Sequence, residues 1–364
     1  MTFWAIRYYP TRKGTGGIDF LIGSHLLKAN QAKREGVNTP ELLIVKQQQM
    51  HHLISQEELM ASKNKSVTLG VKRQGKMWEE HAWGYLFISV ALIIFILFTL
   101  YPVINAFIIS FQEFKPLGST WVGLKNYAGL LKDKLFSKSI VNTVVYTVFS
   151  VPVSLIISFT ISILIYPMKK RMQTFFKAVY YLPGVASGVA LSVVWLWIFD
   201  PLPSGLLNKL VALFGIPNQN WLGSSKTAMF SLLLMSWLSS HGTNVIIYVA
   251  ALMGIPDSFF EAADLDGSTF FQKLRYIIIP LLKPTTLFLL VTGIIGSFQV
   301  FMNAYLMTGG GPDNATTMVG LLIFNNAFKY FEFGKAAAQA LILAVIIAAI
   351  SVFQFKFLGD DVEY

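Results

Sequence analysis

"EAADLDGSTFFQKLRYIIIP", Glu261–Pro280, is a charged stretch lying between two long apolar ones. It reads as two short helices joined by a turn. Ser258-x-x-Glu261, overlapping its start, has the spacing of a capping box, in which hydroxyl and carboxyl each satisfy a free backbone N–H, and it predicts where the first helix begins. Ala262 and Ala263 favour helix and leave a low-profile surface. Gly267 supplies a residue able to take positive φ and end that helix. Thr269-x-x-Gln272 is a second capping box, starting a helix that runs toward Ile277 and into the next apolar stretch, with Pro280 in its first turns. Such a hairpin, fixed directly to an apolar helix, can pass the rigid-body motion of a partner into that helix. Phe259–Phe260 and Phe270–Phe271 flank the turn. Aromatic pairs either pack on their own chain or fill a partner's groove, where buried rings often dominate binding. Two pairs on one capped hairpin favour the groove for at least one of them.

The flanking stretches set the class. Of 364 residues, 54% are hydrophobic and 13% charged, against about a quarter charged in soluble domains. The mean hydropathy is +0.56. Runs of about 20 apolar residues are long enough to cross a bilayer. They occur at Tyr85–Phe111, Val141–Tyr166, Ala178–Phe199, Thr227–Met253, Tyr276–Leu306 and Lys335–Phe357. The runs are continuously apolar rather than alternating, and twice the length of barrel strands, so the expected fold is an all-α membrane protein with six transmembrane helices. The expected division is an extension over 1–84, a six-span domain over 85–358 containing a loop at 254–280, and a short tail at 359–364. No cysteine is present, which excludes disulfides and thiolate metal sites.

The net charge is +10, but the basic residues sit in tracts beside the spans, where membrane topology explains them; no nucleic-acid partner is expected. Lys169, Lys170, Arg171 and Lys177 follow the second span, and Lys63, Lys65, Lys72, Arg73 and Lys76 precede the first. Lys273 and Arg275 lie in the opening stretch. The positive-inside rule puts these tracts, and hence both termini, in the cytosol. One segment runs against it: Gln112–Ile140, placed outside, carries Lys115, Lys125, Lys132, Lys134 and Lys138, with Glu113 and Asp133 among them. Residues 29–76 are polar and read as cytosolic and largely disordered, with a short helix expected around Glu41–Leu59. Met60 precedes a sequence with the look of a natural start, and His51–His52 reads as a solvated pair rather than a metal site.

No Asp or Glu falls within a span. Ion-driven carriers use intramembrane carboxylates, so an ion-coupled secondary carrier is disfavoured. "GSSKT", Gly223–Thr227, lacks the Gly-Lys-Ser/Thr ending of a phosphate loop. Any ATPase is therefore a separate chain. Zinc-spaced His/Glu motifs and a nucleophile elbow are also missing, so the chain is not expected to be an enzyme.

Glu261-Ala262-Ala263, Gly267 and Ile277-x-Ile279-Pro280, at these spacings, resemble the EAA loop of ABC importer permeases, with Ile279 where that pattern has Leu. "WVGLKNYAGLLKDKLFSKSIVNTV" (Trp121–Val144), "LMTGGGPDNATT" (Leu306–Thr317) and "AFKYFEFGKAAAQA" (Ala327–Ala340) resemble the first permease subunit of maltose-transporter-like sugar importers. The resemblance covers about Trp83–Leu358. It implies the type I importer permease fold and a bacterial inner-membrane location. It also implies a second homologous permease, two cytosolic ATPases, an extracytoplasmic solute-binding protein and an oligosaccharide substrate. ATP and Mg would be bound by the ATPases, with no cofactor on this chain. The docking surface it implies comprises Phe259, Phe260, Glu261, Ala262, Ala263, Asp266, Gly267, Phe270 and Phe271.

Sugars need hydrogen-bond partners and apolar faces, and polar groups inside a span are expensive unless used. The fourth span offers Ser240, His241, Thr243 and Asn244. The fifth offers Ser297, Gln299 and Asn303, interleaved with Phe301 and Tyr305. In an unbroken helix Gln299 and Asn303 share one face, and Ser297 and Phe301 another. The maltose resemblance puts sugar contacts near Ser240 and Thr243, and near Gly296, Ser297 and Val300, although Gly296 and Val300 depart from the family's more polar residues. Each small polar residue has helix packing as its alternative role. For His241 a structural bond and a sugar contact stand level. An anionic substrate, an acidic oligosaccharide or a glycerol phosphodiester, is the alternative suggested by the lysines at 115–138, since a positive entrance concentrates anions. Against it, no Arg lies in a span.

Overall fold

The computed structural model describes residues 83–115, 118–239 and 241–358. The helix expected at Glu41–Leu59, the His51–His52 pair, Ser240 and the tail lie outside the described residues, as does almost all of the extension. The chain divides between Ile94 and Phe95, and every candidate functional residue falls in the second part.

The first helix, α1, runs Trp83–Ile109 and is apolar throughout. A short hairpin follows, β1 (Gln112–Lys115) against β2 (Gly118–Trp121), antiparallel with Glu113 opposite Thr120. It is the one pair of strands among the described residues, and it lies outside the apolar runs. Then come α2 (Lys125–Lys132), α3 (Lys134–Ile165), α4 (Lys170–Val185), α5 (Gly188–Ile198), α6 (Leu206–Ala212), α7 (Ala228–Ser239) and α8 (Gly242–Met253). The remainder is α9 (Asp257–Leu265), α10 (Phe270–Leu281), α11 (Lys283–Phe298), α12 (Met302–Met307), α13 (Val319–Phe324) and α14 (Phe333–Leu358).

Three helices, α1, α3 and α14, are each long and apolar enough to cross a membrane unbroken. The other three expected spans are bent pairs: α4 with α5 at 95°, α7 with α8 at 43°, and α10 with α11 at 62°. Counting each pair as one span gives up to six among the described residues. Prolines accompany two of the breaks. Pro183 lies in the last turn of α4, and Pro280 and Pro284 bracket the bend at Leu282, where missing N–H groups weaken the helical ladder. The fifth run is broken a second time. It ends at Phe298 instead of continuing to Leu306, and α12 begins only at Met302.

Helix α3 is the central strut. Hydroxyls recur along it at Ser139, Thr143, Tyr146, Ser150, Ser154, Ser158 and Ser162, three or four residues apart and therefore on one face. That face packs against α7, α8 and α11. Small hydroxyl side chains let helices approach closely and bond across the seam. Ser162 donates to the Val245 carbonyl at 3.2 Å, and Ser297 to Thr147 at 3.0 Å. Pro152 interrupts the α3 ladder, and the Trp237 indole donates to the nearby Phe149 carbonyl at 3.0 Å. One apolar core surrounds Val151, Leu155, Tyr248, Leu252 and Leu289; another surrounds Trp195, Phe199, Leu232 and Leu321.

The two ends of α3 mark the two ends of this helical body. At its start, Asp133 caps the helix, accepting from the Leu135 and Phe136 N–H groups at 2.9 and 3.2 Å. Lys335, at the start of α14, pairs with the same carboxylate at 3.1 Å. The loop 308–318 is tied to this end by Asn142, which donates to the carbonyls of Asn314 and Thr317 at 2.9 and 3.1 Å. Asn208 organises the segment between α5 and α7. It is fully buried, donates to the Pro201 and Gln219 carbonyls, and accepts from the Trp221 indole at 2.8 Å. The far end of α3 meets α9, where the Tyr166 and Phe260 rings stand 6.3 Å apart.

Burial pushes the Asp133 carboxyl up, but the bonds from Lys335 and from the two N–H groups outweigh it and hold it below its ordinary value of 3.8. A depressed folded value means its contribution is complete at neutral pH, starts to fall below about pH 4 and is lost beneath its own lowered value. Removing the cap as well as the pair, in Asp133→Ala, should cost about 1–2 kcal/mol. Lys335→Met removes only a partly exposed pair and should cost less than about 1 kcal/mol. Thermal midpoints of the detergent-solubilised protein should rank in that order at pH 7 and converge toward wild type in acid. Equal midpoints for the two variants at pH 7 would remove the cap from the account.

Candidate functional site

Two places carry candidate chemistry. The first is the helical hairpin at the α9 end. Helix α9 starts at Asp257, two residues earlier than the Ser258-x-x-Glu261 spacing predicts. Its N-cap is Pro256, and no side chain caps it. The expected first capping box is therefore absent: Ser258 already lies within the first turn, where its hydroxyl is misplaced for the cap. The second box is present. Thr269 accepts from the Gln272 N–H, and the Gln272 side chain accepts from the Thr269 N–H at 2.7 Å. Gly267 takes φ +70°, and its neighbour Asp266 closes α9. Lys273 pairs with Asp264 across the turn and holds the two helices together.

The hairpin presents mixed apolar and acidic chemistry. Phe259, Phe270 and Phe271 are exposed, as are Glu261, Ala262 and Asp266. Phe260 turns inward against the core around Leu252 and Leu282, and Ala263 is buried. One member of the first aromatic pair thus packs on its own chain while the second pair faces out, Phe271 at 76% exposure. Leu265 is 90% exposed and was not singled out from the sequence.

The second place is a cavity of about 320 Å³ between α3, α7, α8 and α11. Its polar lining is Tyr146, Ser150 and Ser154 from α3, Ser236 from α7, Asn244 from α8 and Ser297 from α11. Gly293, Gly296, Val151, Leu155 and Val300 complete it. Ser297 reaches both Thr147 at 3.0 Å and Ser150 at 3.1 Å, so it packs helices and lines the cavity together. All the lining polar groups are neutral.

Of the residues proposed from sequence, the cavity gathers Asn244 and Ser297, with Gly296 and Val300 beside them. His241 is buried, its Nδ1 3.1 Å from the Ser158 hydroxyl and its Nε2 against the Trp237 carbonyl. A carbonyl can only accept, so Nε2 carries a proton; the ring joins α3 to the α7–α8 bend. Thr243 is exposed and does not line the cavity. The shared face proposed for Gln299 and Asn303, and that for Ser297 and Phe301, do not exist, because helical geometry stops at Phe298 and resumes at Met302. Gln299 is exposed and Asn303 half-buried. Phe301 and Tyr305 instead stack on each other, 5.3 Å apart with 20° between the planes.

The family profile for the inner membrane component of binding-protein-dependent transport systems matches residues 127–358. The chain belongs to that family. The match includes every part of the hairpin and of the cavity. By sequence, the permease is similar to the arabinooligosaccharides transport system permease protein AraP of Bacillus subtilis (strain 168), 30% identical over 78% of this chain and 90% of that one. It is also similar to the sn-glycerol-3-phosphate transport system permease protein UgpA of Agrobacterium fabrum, 29% identical over 80% of this chain and 99% of that one. A solved bacterial ABC transporter that imports the acidic polysaccharide alginate shares the fold at TM-score 0.68 and 21% identity, over 79% of this chain and all of the matched one.

Sequence reading of the permease missed Tyr146, Ser150, Ser154 and Ser236. A signal for the α3 residues was there: serines at 150, 154, 158 and 162 recur every fourth position. Ser236 lies between Met235 and Trp237, with Ser239 and Ser240 three and four positions on, too short a series to single it out.

Proposed function

We propose that this permease is one of two homologous membrane subunits of an ATP-driven bacterial importer that takes oligosaccharides from an external binding protein. In this reading the chain crosses the inner membrane six times, with both termini and the α9–α10 hairpin in the cytosol and the β1–β2 end outside. The tracts at 169–177 and 273–275 support that orientation. The exposed Phe270, Phe271 and Leu265 would enter one of two ATPase subunits, which bind ATP and Mg. The permease supplies the path and the lever.

The observation that carries the substrate class is the cavity lining: five hydroxyls and one amide, without a charged group. Hydroxyls and amides both donate and accept, as a sugar's hydroxyls require. An anion would need a cation or a fork of donors to replace its lost hydration. The similarity to AraP points the same way, while that to UgpA keeps a phosphorylated glycerol as the reading to be beaten.

Asn244→Leu should leave the permease inserted and assembled. Each unpaired sugar hydroxyl should lose about 1–3 kcal/mol, a fall of roughly fivefold or more in uptake at low sugar. Uptake of labelled arabino-oligosaccharide in membrane vesicles measures this. Unlabelled neutral oligosaccharide should compete and sn-glycerol-3-phosphate should not. Competition by the phosphate alone would replace the sugar reading with the anionic one.

A further inference from the structure

Beyond the cavity, four aromatic rings form a continuous run. Phe301 and Tyr305 stack, and Phe324 stands 4.8 Å from the first and 5.2 Å from the second. Phe328 follows, 5.2 Å from Phe324. The Lys329 ammonium lies over the Tyr305 ring, 5.6 Å from its centre. The run starts at the residue next to Val300, which belongs to the cavity wall, and ends at Phe328, 64% exposed. A π-helical turn, Asn325–Lys329, carries Phe328 and Lys329 at its end.

We propose that Phe301, Tyr305, Phe324 and Phe328, with Lys329, form an outer platform on which sugar rings stack while they remain outside the cavity. This rests on the oligosaccharide reading. A sugar ring offers C–H groups on its face and hydroxyls at its edge, so its receptor needs aromatic planes beside polar side chains. Both are here. The exposed amide of Gln299, the half-buried Asn303 and the Lys329 ammonium accompany the rings. A purely lipid-facing run would place these polar groups against hydrocarbon, where they are unfavourable. Size points the same way. The cavity, about 320 Å³, is at the small end of the roughly 300–1,000 Å³ range of ligand pockets. A chain of several sugar units needs contacts beyond it, and the run of rings leads outward from its wall.

The chain has no cysteine, so a single introduced cysteine is its one labelling site. Phe328→Cys and Asn244→Cys would be placed separately in the full-length chain and studied in vesicles of its native membrane. A small water-soluble maleimide would be applied with disaccharides or hexasaccharides from arabino-oligosaccharide and alginate digests. A disaccharide should protect Asn244→Cys alone, whereas a hexasaccharide should protect both. Hexasaccharide at several times its half-saturating concentration should slow labelling at 328 by about threefold to tenfold, because protection follows occupancy. Lys329→Ala should raise the half-saturating concentration for hexasaccharide uptake and leave that for disaccharide unchanged. If Phe328→Cys does not react in any nucleotide state, or reacts with no protection by hexasaccharide while Asn244→Cys is protected, the rings face lipid or only pack, and the platform is overturned. If no sugar of either length protects Asn244→Cys, the oligosaccharide reading itself fails and the platform falls with it.

Discussion

Gly267→Val should leave the permease in the membrane at wild-type levels and abolish sugar uptake. Gly267 sits at φ +70°, the left-handed region, and an added Cβ there would meet nothing within 4 Å. The defect is therefore one of backbone conformation rather than crowding. A β-branched residue in this region is strained by about 1–3 kcal/mol. The Thr269–Gln272 box fixes the residues after the turn, so the strain falls on the joint between α9 and α10 and on the Asp264–Lys273 pair that bridges them. Rotation of α9 against α10 would move Leu265 relative to Phe270 and Phe271, and the ATPase groove proposed to receive all three would no longer fit. Gly267→Asn should recover part of the uptake, since Asn tolerates this conformation. Glu261→Ala is a different experiment. Glu261 is exposed and caps nothing in α9, so its loss should spare the helix, and any fall in uptake would report a contact with the ATPase. Uptake and ATP hydrolysis in vesicles at equal expression are the readouts. Wild-type uptake by Gly267→Val would mean that this hairpin does not transmit the stroke.

That prediction draws on features legible in the residues. Gly267 and Thr269-x-x-Gln272 stood at spacings whose local physics needs no tertiary help, and both behave as expected. Ser258-x-x-Glu261 met the same pattern and failed, because Pro256 already fixes the chain entering the helix, which then begins at Asp257. The apolar runs were visible because bilayer thickness demands length. Their breaks were not. The bend at Leu282 lies between two prolines, yet the break at Gln299–Phe301 has neither proline nor glycine to announce it. An unbroken-helix argument applied across it therefore paired Gln299 with Asn303 wrongly.

The cavity was half legible for a related reason. Asn244 and Ser297 stood out as polar groups in apolar surroundings. The α3 serines were equally polar, but a serine every fourth position also describes helix packing, and Ser158 and Ser162 do serve that seam. Only the arrangement of four helices separates Ser150 and Ser154, which line the cavity, from the serines below them. The tilted ring contact between Tyr305 and Phe324 joins segments nineteen positions apart and has no sequence period at all.

A second glycine should prove more sensitive than any cavity residue, for the opposite reason to Gly267. A Cβ on Gly242 would stand 2.5 Å from the Tyr181 Cα and 2.6 Å from the Tyr180 carbonyl oxygen. Both neighbours are backbone, so no side chain can rotate away; α4 would have to move off α8. The contact lies where these helices share the buried cluster of Ile165, Val245 and Val249, with Phe176 and Tyr180 packed against it. It also adjoins His241, whose bonds to Ser158 and Trp237 hold the α7–α8 bend to α3. Overpacking of this kind costs about 1–3 kcal/mol when the surroundings can relax, and more when they cannot. Gly242→Ala should therefore lower the yield of monodisperse protein in detergent and depress its thermal midpoint, before transport is considered. Gly296→Ala is the matched control: it lies on α11 beside the cavity, and a Cβ there meets nothing within 4 Å. That variant should fold as wild type, and any change it makes in uptake is an effect on the cavity. A Gly242→Ala protein as abundant and heat-resistant as Gly296→Ala would show that α4 and α8 do not approach as closely as this packing requires.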